Sequence, residues 1–326
     1  ADRAGVLSSG WRLTQPVLDR LLRPAAGDGL QNLLLQATNS VNFIGDVSLD
    51  TFDPASGESS ATMSFITPAI YGLGNANDTA VLRTSRFVWS GLSYKGGTIS
   101  RPVYTLAEPG PVIADGAGTG SGTFRVDADE ILFGFAAELD QGANLNMDRL
   151  LLGFTDAEFT AGRIAAERKG SLAVYQRQNQ ATGAYSGGNL TFTTTVLTGL
   201  SRSEMEYIAG GALRVQRPAG AAAADVSALD LGGQLRLKAD RVILAGTVAA
   251  PSGLVEVHAD KELILANGAL LDLSGQPVRF FEQTRHSFGG SVVLESATGD
   301  IVQEAGSVID VSGAHSDGGA VRAVAV

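Results

Sequence analysis

The chain has 326 residues, of which 41 are glycine and none is cysteine, and its net charge is −10. Without a G-X-Y period it is not collagen, and at 44% hydrophobic it is too apolar for a disordered chain. The acidic balance and the lack of a basic cluster argue against nucleic-acid binding, and the same sign disfavours anionic membranes. Zero cysteine removes disulfides, thiol catalysis and thiolate metal sites. No apolar run approaches the roughly 18 residues of a membrane-spanning helix.

The first residues, Ala1, Asp2 and Arg3, are neither an initiator methionine nor a signal peptide. Residues 14–22 read as a short helix with Pro16 near its start. Leu33, Leu34 and Leu35 lead into an alternating run at 40–49, and 53–60 (DPASGESS) is a polar turn. Residues 108–122 carry glycine and proline without periodicity. Their stretch 116–122 lacks the aspartate of calcium-binding repeats and the lysine of a phosphate loop, so a mobile loop is expected.

From residue 122 a grammar sets in. The segments 124–134, 235–246 and 255–266 share the pattern apolar-x-apolar-x-Ala-Asp, one or two polar residues, then a short apolar run. Alternation marks a strand with one face buried, and the Ala-Asp step reads as a tight corner with a new strand after it. Shorter rungs recur at 150–154, 159–164, 170–175, 188–193 and 209–215. Ser201 to Glu204 fits a capping box and predicts a second short helix. Residues 218–225 hold an alanine run between coils.

Leu271-Asp272-Leu273-Ser274-Gly275 returns as Ile309-Asp310-Val311-Ser312-Gly313, with glycine pairs at 289–290 and 318–319. Read as a repeat of 19 to 22 residues, the spacing puts Asp272 and Asp310 two coils apart, facing out beside their Ser-Gly turns. Leu273 and Val311 then point inward. Residues 276–288 are an insertion between regular rungs, and 320–326 stop inside an alternating pattern, so the chain is expected to be a piece of something longer.

A repeat of that length with so few helix signals predicts an all-β fold: a parallel β-helix, or solenoid, with loop insertions and one or two short helices. One solenoid domain is expected, less regular over 1–121 and more regular over 122–326. Aromatics are only 6%, so the interior is expected to be built from Val, Leu, Ile and Ala.

The glycine-pair, strand, Asp-Leu-Ser-Gly rungs resemble the filamentous haemagglutinin family of large bacterial exoproteins. Further points of likeness are 188–193 (GNLTFT), 196–199 (VLTG) and 207–213 (YIAGGAL). The resemblance is clearest over 122–326 and diffuse over 31–97. It implies a right-handed coil, export through an outer-membrane two-partner-secretion transporter, and a place outside the bacterial cell or on its surface. Asn-Pro, which marks that family's secretion domain, does not occur here, so the resemblance implies an interior or carboxy-terminal part of the shaft. It also implies a non-enzymatic adhesin or stalk with an unnamed cell-surface receptor or glycan. The rival readings are a polysaccharide-binding or polysaccharide-cleaving β-helix and a purely structural spacer.

The densest acidic group is Asp127, Asp129 and Glu130, the best candidates if the chain cleaves polysaccharide. The blander reading makes Asp129, Asp240 and Asp260 corner residues. His258, His286 and His315 are the only histidines and are expected to be solvated. Catalytic residues, cofactors and metals are therefore expected to be none. The insertion at 276–288 concentrates Arg279, Phe280, Phe281, Arg285, His286 and Phe288. Aromatics and arginine are enriched at binding hot spots, which makes this the candidate contact loop.

Overall fold

A computed structural model describes residues 10–22, 30–37, 39–91, 117–135, 146–222 and 224–326. After α1 (Gln15–Leu22) come β1 (Asn32–Gln36), β2 (Val41–Phe43), β3 (Val47–Asp50), β4 (Thr62–Ile66), β5 (Ala69–Gly72) and β6 (Thr79–Trp89). The chain continues through β7 (Gly122–Phe133), β8 (Asn146–Leu152), β9 (Phe154–Ala166) and β10 (Lys169–Tyr175), then a small hairpin of β11 (Arg177–Gln178) and β12 (Tyr185–Ser186). Next are β13 (Asn189–Gly199), β14 (Glu204–Gln216), β15 (Gln234–Ala245), β16 (Thr247–Ala249), β17 (Leu254–Leu265) and β18 (Leu270–Asp272). A second hairpin, β19 (Pro277–Phe280) and β20 (Gln283–His286), precedes β21 (Ser291–Ser296), β22 (Ile301–Gln303), β23 (Val308–Asp310) and β24 (Ala320–Ala325).

The pairing is parallel throughout the main sheet, which curls into a β-helix with three faces. Face one stacks β2, β5, β8, β10, the first halves of β14, β15 and β17, then β21 and β24. Face two stacks β3, the first halves of β6, β7, β9 and β13, the second halves of β14, β15 and β17, and β22. Face three stacks β1, β4, the second halves of β6, β7, β9 and β13, then β16, β18 and β23.

The Ala-Asp step turns the corner without ending the strand. In β15, Leu235, Leu237 and Ala239 face inward, then Val242 and Leu244 do. The inward phase slips by one residue, leaving Asp240 and Arg241 both outward, and the ladder to β17 shifts register there. A phase slip inside one hydrogen-bonded strand bends it as a bulge does.

The interior departs from the aliphatic expectation. Phe43, Phe65, Phe87, Phe124, Phe133, Phe159, Phe192 and Tyr207 are buried, and neighbouring rings meet at 4.9 to 6.4 Å. Beyond Tyr207 the described core becomes Leu, Val and Ala. The aromatics are few, but the coils up to Tyr207 take them inside and the later ones do without.

Other expectations change too. Asp272 pairs directly with Asp310, so the two lie one coil apart, about 4.8 Å rather than twice that. The β19–β20 insertion lengthens that coil and mimics a double repeat, whereas the uninterrupted step from Leu235 to Val255 is 20 residues. Asp272 alternates with the inward Leu271 and Leu273 and so points outward beside its Ser-Gly turn, as expected, but it is covered there: it is only 7% exposed, and its Oδ1 accepts from the Ser274 amide and hydroxyl. Leu273 is buried and Val311 packs against the same core. Ser201 and Arg202 form a turn and β14 starts at Glu204, so no second helix forms. Residues 108–116 lie outside the described residues. Ala117, Gly118 and Gly120 are buried in the shaft wall, against Leu152, Gly72 and Gly153, so that part is packed and not a mobile loop.

Candidate contact hairpin

The hairpin of β19 and β20 leaves the shaft at the corner between faces three and one, after β18 and before β21. Its antiparallel register matches Pro277 with His286, Val278 with Arg285, Arg279 with Thr284 and Phe280 with Gln283. Phe281 and Glu282 form the tip. Phe281 has φ 52°, a left-handed conformation that glycine takes most easily in such a two-residue turn.

The base is pinned from three sides. The Ser287 Oγ accepts from the Gln276 amide at 2.8 Å and from the Ser252 hydroxyl at 2.7 Å. Gln276 Nε2 donates to the Val226 carbonyl at 2.6 Å, and Ser316 Oγ to the Ser287 carbonyl at 2.5 Å. The loops around 226 and 252 lie on the coils before the hairpin and the loop around 316 on the coil after it, so the hairpin stands on a fixed foundation.

Above that base the side chains are open to solvent. Phe281 is 97% exposed and Phe288 60%. Arg285 and His286 are exposed, and so is Arg279, whose Nε donates to the Phe281 carbonyl. Neither Arg279 nor Arg285 has an ion-pair partner among the described residues. Phe280 lies in β19 at the position before the tip. The candidate residues are thus brought together on one short projection.

The acidic candidates are held differently. Arg86 reaches Glu130 at 3.0 Å and Arg163 reaches it at 3.5 Å. Asp129 accepts from the Ser85 hydroxyl at 2.8 Å. Burial pushes the Asp127 carboxyl above its usual value, with Arg125 and Arg83 pulling the other way. Asp240 takes the Lys261 ammonium at 2.6 Å, and the Asp260 main-chain carbonyl accepts from Thr298, so contacts at these corner residues bridge coils. The same coil-to-coil pairing recurs as Lys169–Glu204, Arg125–Glu158 and Lys238–Glu206. Cross-strand charge pairs of this kind steady a sheet modestly.

His258 is half-buried against Glu295 at 2.9 Å, so it is not the solvated residue expected. His286 and His315 are exposed but meet each other, ring centroids 4.8 Å apart.

Two features escaped the sequence. Arg149 is buried inside the shaft, its Nε donating to the Trp89 carbonyl at 2.7 Å and its guanidinium 5.7 Å from the Phe133 ring. The alternation Met147, Arg149, Leu151 already put it inward, but its charge hid the phase. On the outer side of face one, Tyr175 stacks on Tyr185 of the β11–β12 hairpin at 4.8 Å and covers Leu150, Leu152 and Ile208.

Fold and site together define a parallel β-helix shaft bearing a projecting aromatic and arginine hairpin. Comparison with protein-family models, curated proteins and solved structures finds no match.

Proposed function

We propose that the chain is a shaft segment of a secreted bacterial surface exoprotein, similar to the filamentous haemagglutinins, that serves attachment and performs no chemistry. Export would use an outer-membrane two-partner-secretion transporter, and the receptor is a surface protein or glycan of another cell. One observation carries this reading: Phe281, Arg279 and Arg285 are exposed on a hairpin whose base is hydrogen-bonded to the rigid coils, with Phe288 exposed beside that base. A rigid scaffold that presents its variable chemistry on a loop is a common way to place a binding surface.

The test replaces residues 277–287 with a short Gly-Ser bridge in the purified chain. Far-UV circular dichroism is expected to keep its β signature while attachment to target cells falls. Attachment unchanged by the deletion would leave the shaft as a spacer. Cleavage of an acidic polysaccharide by the purified chain, lost in Asp127→Asn and Asp129→Asn, would replace the attachment reading with an enzymatic one.

A further inference from the structure

We propose that His286 and His315 form a two-ligand surface site for a late first-row divalent metal such as Zn²⁺, which clamps the hairpin to the last corner loop. The chain has three histidines, and two of them meet across 29 residues of sequence, as the numbers 286 and 315 give. Their ring centroids are 4.8 Å apart with the planes at 65°. Two imidazoles bound to one tetrahedral ion at about 2.0–2.1 Å from each nitrogen hold their centroids about 5 Å apart. The observed pair is already close to that spacing.

The surroundings favour a fixed pair over a chance encounter. Ser316 Oγ donates to the Ser287 carbonyl, and the Gly289 amide donates to the Asp317 carbonyl at 3.0 Å. The residue after each histidine is thereby tied to the other's segment. His315 has φ 60°, a left-handed conformation that costs a side chain backbone strain and fixes where its ring leaves the loop.

The charges nearby are compatible with a cation. Arg285 alternates to the opposite face of the hairpin from His286. Arg279 shares the His286 face, but its Nε is engaged by the Phe281 carbonyl at the tip. Glu282 sits at the tip, and Asp317 follows two residues after His315. Imidazole nitrogen selects zinc, nickel or copper over the oxygen-seeking Mg²⁺ and Ca²⁺. The remaining coordination positions are left to water.

The inference stands apart from the attachment reading, because it needs no receptor to be tested. Zn²⁺ is titrated calorimetrically into the whole chain, with Mg²⁺ as the control. Saturable uptake of one equivalent is expected, lost in His286→Ala and in His315→Gly and kept in His258→Gln, with all variants retaining the β signature by circular dichroism. His315→Gly relieves the backbone strain, so loss of binding there reports the ring and not the fold. No saturable uptake by the unaltered chain, or uptake that persists in both His286→Ala and His315→Gly, overturns the proposal.

Discussion

Asp127 lies on the outer side of face two, in register with Arg83 on one coil and Thr160 on the next. Burial is the largest influence on its carboxyl and holds it above the usual value of 3.8 despite the two arginines. It therefore ionises less readily folded than unfolded. Its charge subtracts from stability above the folded pKa, and that penalty disappears once pH falls well below the ordinary carboxylate value, where both states are protonated. Asp127→Asn is expected to raise Tm at pH 7 and to change it little in acid. A thermal melt series across that range checks it, and a Tm lowered at pH 7 would mean that the arginines outweigh the burial. This also separates structure from chemistry: a stabilised Asn variant leaves any loss of polysaccharide turnover to be explained by catalysis.

At the scale of the elements, most coils were legible because their chemistry is local. In 255–266, Val255, Val257 and Ala259 face inward before the corner and Leu263 and Leu265 after it, and each is apolar. The coil count was not legible, because the match of Asp272 with Asp310 depends on where the hairpin leaves the shaft, and insertion length is invisible to a repeat pattern. Nor was the Ser201 turn: its four residues suit a helix cap, but the ladder from β10 and β15 claims Glu204 for a strand. The contact hairpin was legible as an interruption rich in Phe and Arg, whereas its antiparallel register and the anchors at Val226 and Ser252 come from distant coils. Phe281 offers the cleanest test of that element. Its left-handed backbone would relax with glycine, while glycine also gains freedom in the unfolded chain, so Phe281→Gly is expected to leave stability within about 1 kcal/mol. Attachment should fall sharply. A denaturant midpoint that is maintained, together with unimpaired attachment, would remove Phe281 from the contact surface.

Across the whole molecule the two ends of the ladder differ. Next to β3, Gln15 at the start of α1 offers its side-chain amide to the strand's backbone: its Nε2 donates to the Ser48 carbonyl at 2.8 Å and its Oε1 accepts from the Ser48 amide at 3.0 Å. Leu18 and Leu22 of the same helix are buried over the first coils. Unpaired strand groups and apolar core are both covered there, a common defence of a sheet edge. At the other end β22, β23 and β24 each pair on one side only among the described residues. Val302, Val308 and Val321 are exposed along them, and Ile301, Ile309 and Val311 remain only partly covered. The single charge on β24 is Arg322, which is drawn toward Glu295 at 3.6 Å and does little to repel another strand. Parallel strands with free hydrogen-bonding edges and valine side chains favour association. The chain is therefore expected to self-associate with rising concentration through this end, and light scattering should show its mass increasing. Val302→Lys combined with Val308→Lys places charges on the open strands at outward positions, in register with Ile264 and Leu270 and not with the inward Leu263 and Leu271, and should return the chain to monomers with its thermal transition preserved. A unaltered chain that stays monomeric at high concentration would show that this edge is protected in a way the exposed valines do not reveal, and association that survives both lysines would move the contact elsewhere on the shaft.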